Sequence, residues 1–138
     1  MAYELIWESS GVVKRHYGVL TAGDMLAATR QVVNHQRFSE LRYIVNDFSD
    51  VESGRIGLAT IEEIAALRIG ATLVNSRILS PYIAATDPGL SVAHLLMSPD
   101  YRNDHPTRLF PSLPAARAWV AEQLHETNAR EKKPPQTG

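Results

Sequence analysis

Apolar residues along this chain change spacing repeatedly, between the period of two typical of strands and the longer period of amphipathic helices. The chain opens with two period-two runs, 3–7 and 13–19, and the small polar residues 9–11 between them suit a tight turn. From residue 21 onward, helical and strand-like segments follow one another in turn. We therefore expect an antiparallel hairpin followed by repeated strand–helix pairs.

The segments beyond the hairpin can be bounded from their end signals. Thr21 is a predicted helix cap, residues 60–63 match a capping box, Pro81 must start a strand because it lacks an N–H group, and Ser112 caps the last helix. The predicted helices cover about 21–33, 60–75, 90–97 and 112–124, and the predicted later strands cover 42–48, 78–86 and 109–110.

This order predicts the fold class. Parallel strands need long crossover connections, which are right-handed and are usually helical, whereas the opening hairpin adds an antiparallel edge strand. We expect an α/β fold with a mixed, mostly parallel five-stranded sheet flanked by about four helices.

Length and composition predict one domain. A chain of 138 residues buries about two-thirds of its unfolded surface, and 44% hydrophobic with 21% charged residues lies far from the composition of disordered proteins. From Thr127 the sequence is polar and contains prolines. We predict a single domain over 1–126 and a disordered polar tail over 127–138.

Charge and residue usage argue against several partners. The net charge is −1, so no overall field attracts nucleic acid or anionic lipid. No apolar run reaches the roughly 20 residues that span a bilayer, and the amino terminus lacks the features of a signal peptide. The absence of cysteine suits a reducing compartment. We expect a cytoplasmic protein with no nucleic-acid partner and no membrane span.

Three segments in this order resemble one family. Residues 18–24 after the hairpin, the strand end at 46–49 and the closing segment 109–119 resemble the SpoIIAA-like family of STAS-type domains over about residues 3–124. The resemblance implies a mixed sheet flanked by helices, similar to anti-sigma-factor antagonists and to the lipid-binding Sec14 fold. It also implies a domain usually without an assigned reaction.

The same resemblance draws attention to one serine. The antagonists are switched by phosphorylation of a serine in an Asp-Ser-Ser-Gly-like turn after the third strand, and here the corresponding segment is 47–54. Ser53 precedes Gly54, as in that turn, but follows Glu52. Ser53 is either a phosphoacceptor or simply part of a turn before the second helix.

Acidic residues follow the predicted central strand. Asp47 and Asp50, with Ser49 between them, lie where ligands bind in open α/β sheets, and such acids can exchange a proton or hold a cation. They can equally be solvated loop residues. His94 lies on the apolar face of the third helix, as either a half-buried structural histidine or a ligand or pH-sensing group. The candidate ligand or partner surface comprises Asp47, Ser49, Asp50, Ser53 and His94.

No motif indicates catalysis or a cofactor. The five histidines lack the spacing of a metal site, and the glycine-containing segment 54–57 lacks the lysine and Ser/Thr of a phosphate-binding loop. We expect no cofactor, no metal and no enzymatic activity.

Three functional hypotheses follow. The preferred one is a non-enzymatic binding or regulatory domain acting through contacts with a protein partner or as a homodimer, with the second and third helices as the first surface to consider. The alternative is a carrier of a small apolar or lipid-like ligand, as the Sec14 resemblance implies. The third is an enzyme that uses Asp47 or Asp50 together with His94 as acid and base.

Overall fold

The computed structural model describes residues 2–131 of the chain. Its elements follow the predicted β-β-α-β-α-β-α-β-α order, with one additional short 3₁₀ helix at Phe38–Glu40. Their bounds are β1 (Tyr3–Trp7), β2 (Gly11–Leu20), α1 (Ala22–Val33), β3 (Tyr43–Gly54), α2 (Leu58–Val74), β4 (Tyr82–Ile83), α3 (Gly89–Leu96), β5 (Leu109–Phe110) and α4 (Leu113–Glu131).

The five strands form one mixed sheet in sequential order, β1-β2-β3-β4-β5. The β1–β2 hairpin is antiparallel, and the pairings β2–β3, β3–β4 and β4–β5 are parallel. The predicted α/β class, with a mixed five-stranded sheet and four helices, is confirmed.

Strand β3 is much longer than the predicted 42–48. It stays extended to Gly54 because β2, which runs to Leu20, continues to pair with it in parallel. Gly54 has φ of 121°, and a Cβ there would lie 2.3 Å from the Leu20 carbonyl oxygen, so only glycine fits this close approach. The predicted turn at residues 53–54 is wrong, because hydrogen bonding to β2 overrides the local turn preference of Ser53 and Gly54.

Both faces of the sheet are covered. Val12 packs with α1 and α2, whereas its neighbour Val13 packs with Val45, Ile83 and α4. Alternate residues of a strand point to opposite faces, so α1, α2 and α3 cover one face and α4 covers the other. The central strands are therefore buried on both sides.

The helix ends agree only partly with their predicted signals. Thr21 accepts a hydrogen bond from the amide of Asp24 at 3.2 Å, and Ser112 accepts one from Ala115 at 3.4 Å, as expected of caps. Helix α2, however, begins at Leu58 after Gly57, so the predicted capping box at 60–63 is wrong.

The carboxyl-terminal boundary also differs. Helix α4 continues to Glu131, so residues 127–131, which were predicted to belong to a polar tail, are helical. Residues 132–138 of the predicted tail lie outside the described part of the chain. None of the helices formed by residues 2–131 combines the length and hydrophobicity needed to cross a bilayer.

Candidate anion-binding site

The predicted acidic surface is engaged in local contacts. Asp47 is buried, and its Oδ1 accepts hydrogen bonds from the Ser49 amide at 2.9 Å and the Ser49 hydroxyl at 2.6 Å. Exposed Asp50 accepts two hydrogen bonds from Arg15, at 2.8 and 3.1 Å, and Arg15 also pairs with Glu4. The prediction that these acids follow the strand is wrong, because both lie within β3, which continues in pairing with β2 to Gly54.

The remaining predicted site residues lie apart from these acids. Ser53 is an exposed residue of β3, and His94 is exposed on α3 rather than half-buried as predicted. No hydrogen bond or ion pair among residues 2–131 connects His94 with Asp47 or Asp50. In the same part of the chain, no group of three or more histidine and acidic side chains is placed to hold a metal ion.

A different site lies between the sheet and helices α1 and α2. A cavity of about 50 Å³ opens there over the middle of the sheet. Its floor includes Lys14, Asn46 and Tyr82, which are aligned across β2, β3 and β4 because Lys14 pairs in register with Asn46 and Asn46 with Tyr82. The walls are mainly apolar, apart from Thr29, Arg68, Ser80 and His105; the apolar wall residues are Met25, Val32, Val33, Phe38, Ile44, Phe48, Ile64, Ala71 and Leu96.

Lys14 is a half-buried cation without an acidic partner. Its Nζ donates a hydrogen bond only to the Thr29 hydroxyl, at 3.5 Å, and it takes part in none of the ion pairs among residues 2–131. Surrounding protein desolvates the ammonium group, and the charge of Arg68 adds to this effect, so the pKa of Lys14 is lowered to about 8. The amine is held where its charged form is disfavoured.

Arg68 is the second cation of the cavity. It projects from the sheet-facing side of α2, where its Nη1 donates to the Leu96 carbonyl at 2.7 Å and to the Tyr82 hydroxyl at 3.4 Å. Its Nε and Nη2 atoms are buried and have no hydrogen-bond partner among residues 2–131. A guanidinium presents Nε and one Nη as a side-on pair that matches the two oxygens of a carboxylate or phosphate.

Neutral polar groups complete the floor. The Asn46 side-chain amide donates to the Ser80 hydroxyl at 2.9 Å and to the Pro81 carbonyl at 3.1 Å, which fixes its orientation. Burial raises the pKa of Tyr82, so its phenol stays protonated at neutral pH. No carboxylate from the described residues lines the cavity. Its electrostatic character is therefore set by Lys14 and Arg68.

Comparisons with known proteins do not extend this description. No protein-family model matches the chain, and no curated protein matches it significantly. The SpoIIAA-like resemblance, the phosphoacceptor role of Ser53 and the cytoplasmic location stay predictions.

The cavity cations were not recognised from the sequence, although each left a signal. Arg68 shares its predicted helix side with Ile61, Ile64 and Ala65, and a charged residue on an apolar face calls for a partner. Lys14 lies between Val13 and Arg15 on β2. Because alternate residues of a strand point to opposite faces, the sequence places the Lys14 side chain on the face opposite to Val13 and Arg15. What the sequence could not provide was the pairing of β2, β3 and α2 that brings the two cations to one cavity.

Proposed function

We propose that the protein is a non-enzymatic binding domain for a small anion, held between the sheet and helices α1 and α2. One observation carries the proposal: Lys14 and Arg68 line the same cavity, and neither has a carboxylate partner among residues 2–131. The resemblance to SpoIIAA-like domains, which usually have no assigned reaction, also supports a binding role.

The energetics of buried charge favour an anionic ligand. Removing a charge from water is unfavourable unless a counter-charge or good hydrogen bonds replace the lost hydration. Here the lowered pKa of Lys14 and the two unpaired donors of Arg68 indicate that residues 2–131 provide only part of that replacement. A bound anion would satisfy both cations, and it would raise the pKa of Lys14 by favouring its charged form.

Cavity size limits the ligand class. A water molecule needs about 10–15 Å³ in this measure, so 50 Å³ accommodates about three to five waters, or a ligand of similar bulk. An apolar cavity that binds benzene has a volume of about 150 Å³, about three times that of this cavity, and an acyl chain is larger still. The cavity therefore favours small carboxylates and oxyanions over the apolar or lipid-like ligand of the Sec14-based alternative.

Thermal unfolding with candidate anions tests the proposal. Acetate, pyruvate and phosphate are compared with sodium chloride at equal ionic strength, and we expect at least one of the three to raise Tm in a concentration-dependent way, since a ligand of the folded state stabilises it by mass action. Lys14→Met and Arg68→Met should abolish the increase, and the matched control Arg102→Met, which removes an exposed guanidinium, should retain it.

Two results would overturn the small-anion proposal. The first is a set of Tm values that follow ionic strength alone for every anion. The second is an anion-dependent increase that survives in both cavity variants.

A second candidate function, self-association, is favoured by an exposed apolar surface on α2. Ile69, Leu73 and Val74 are 41%, 86% and 64% exposed, although they belong to a helix whose other side is packed in the core. No atom of residues 2–131 lies within 4 Å of a Cβ built on the adjacent Gly70, so another helix could approach closely there. Contiguous exposed apolar side chains are typical of interaction sites.

The apolar character of this helix surface makes a second copy of the chain the occupant we propose for it. In a two-fold antiparallel pair of α2 helices centred on Gly70, Leu73 of one copy lies opposite Leu67 of the other, because the two positions are equidistant from the centre. Light scattering should show a dimer that Leu73→Glu dissociates and that the control Val19→Glu, also at an exposed apolar residue, leaves intact. A monomer at high protein concentration would refute this candidate.

A further inference from the structure

We propose that Lys14 is a carbonyl-reactive amine, which binds small 2-oxo acids as an imine while Arg68 binds their carboxylate. This inference rests on the proposed anion site and specifies the chemistry of its ligand. A 2-oxo acid carries a carboxylate directly bonded to a carbonyl carbon, so it requires one anion-binding group and one nucleophile close together.

The geometry provides both groups in one cavity. Lys14 rises from β2, and its only hydrogen-bond acceptor among residues 2–131 is the Thr29 hydroxyl at 3.5 Å, a distance too long to hold the ammonium tightly. Arg68 lies across the cavity on α2 with its Nε and Nη2 atoms unpaired. Because both residues line one small cavity, a carboxylate bound at Arg68 would hold its adjacent carbonyl carbon within the space that Lys14 also lines.

The environment of Lys14 also increases its reactivity. Only the uncharged amine has a lone pair to attack a carbonyl, and lysines beside a second cation or in an apolar pocket are the ones used for imine formation. With a pKa of about 8, the uncharged fraction of Lys14 at pH 7.5 is about 200 times that of a lysine with the ordinary pKa of 10.5.

Size and wall chemistry select the small members of the class. Glyoxylate, with five non-hydrogen atoms, matches the upper end of a space for about three to five waters. Larger 2-oxo acids would meet the apolar side chains of α1 and α2.

The proposed step is balanced without any co-reactant. The Nζ lone pair of uncharged Lys14 forms a bond to the carbonyl carbon, and one amine proton moves to the carbonyl oxygen to give a carbinolamine. The C–O bond then breaks as the second amine proton leaves with the hydroxyl group, so that one water is released and a C=N bond forms. No group is oxidised or reduced.

Reductive trapping with glyoxylate and cyanoborohydride tests the proposal. Hydride adds to the imine carbon and leaves a carboxymethyl group on the lysine, which intact mass and peptide mapping detect. The chain has three lysines, Lys14, Lys132 and Lys133, so the last two serve as internal references. Mapping also separates labelling of the terminal amine.

The expected result is selective labelling. At pH 7.5 Lys14 should be modified at least 10 times faster than Lys132 or Lys133, and Lys14→Arg should remove that adduct. Arg68→Met should slow labelling of Lys14 by glyoxylate at least 10-fold and slow labelling by uncharged acetaldehyde by a smaller factor, because without the Arg68 charge the pKa of Lys14 rises. Circular dichroism verifies that each variant is folded, and Lys14→Met is the second variant if Lys14→Arg is not.

The contrary results are distinct. Equal labelling of all three lysines, or selective labelling of Lys14 that is insensitive to Arg68→Met, overturns the imine proposal. Absence of an adduct on Lys14 while anions still raise Tm overturns it and leaves the anion-binding proposal standing. Absence of both responses overturns the two proposals together.

Discussion

Replacing His16 by phenylalanine should make the protein less sensitive to acid. His16 is 1% exposed, and neither ring nitrogen has a hydrogen-bond partner among residues 2–131. Its ring stacks on Phe48 with a centroid distance of 5.2 Å and an interplanar angle of 6°. Burial, reinforced by the charge of Lys14, lowers the pKa of His16 to about 3, and Asp24 opposes this only partly.

The sign and size of the effect follow from proton linkage. Below its ordinary pKa of about 6.5 the histidine of the unfolded chain takes up a proton, whereas the folded protein keeps His16 neutral until about pH 3. The protonation of His16 therefore leaves the free energy of unfolding unchanged above pH 6.5 and lowers it as the pH decreases from there to about 3. At 1.36 kcal/mol per pKa unit, the loss between pH 7.5 and pH 5 is about 2 kcal/mol.

Urea denaturation at the two pH values measures this loss. The free energy of unfolding of wild type should fall by about 2 kcal/mol more than that of His16→Phe, because phenylalanine keeps the stacked ring and cannot be protonated. The control His94→Gln, at an exposed histidine, should fall as wild type does. Equal losses for wild type and His16→Phe would show that the reasoning from burial is wrong.

Three further predictions concern stability at neutral pH. Lys14→Met should raise the free energy of unfolding by about 1–2 kcal/mol at pH 7, because it removes a desolvated cation; no gain in urea denaturation would contradict this. Gly89→Ala should lower the free energy of unfolding by about 2 kcal/mol, since the added Cβ would lie 2.5 Å from a β3 carbonyl oxygen. Gly23→Ala, at an exposed position of α1 where the added Cβ meets no atom of residues 2–131 within 4 Å, should instead raise Tm slightly. Arg117→Gln should cost about 1 kcal/mol by breaking the paired hydrogen bonds to Glu8 at 2.7 and 2.9 Å, and a change below the error of a urea titration would show that this partly exposed pair contributes nothing.

Local patterns in the sequence identified most elements but not their limits. The hairpin and the caps at Thr21 and Ser112 depend on neighbouring residues alone, so they were predictable. The extension of β3 to Gly54 was not, because its polar residues are held extended by pairing with β2. The start of α2 also differs from the prediction. The local signals favour a start at Thr60, but in the folded chain the helix already begins at Leu58.

The candidate site shows the same division. Proximity to a strand end suggested Asp47 and Asp50, but the structure engages them with Ser49 and Arg15 and leaves His94 in solvent. Lys14 and Arg68 are 54 positions apart in sequence, and neither belongs to a recognisable motif. Only strand pairing and helix packing determine that they share a cavity.

By itself, the sequence determined the α/β class, the order of nine strands and helices and the absence of any cysteine chemistry, since these follow from local periodicity and composition. Tertiary structure alone decided that two cations meet without an acidic partner. Periodicity specifies which face of an element a residue occupies, but the electrostatic environment of that residue depends on which distant elements cover the face.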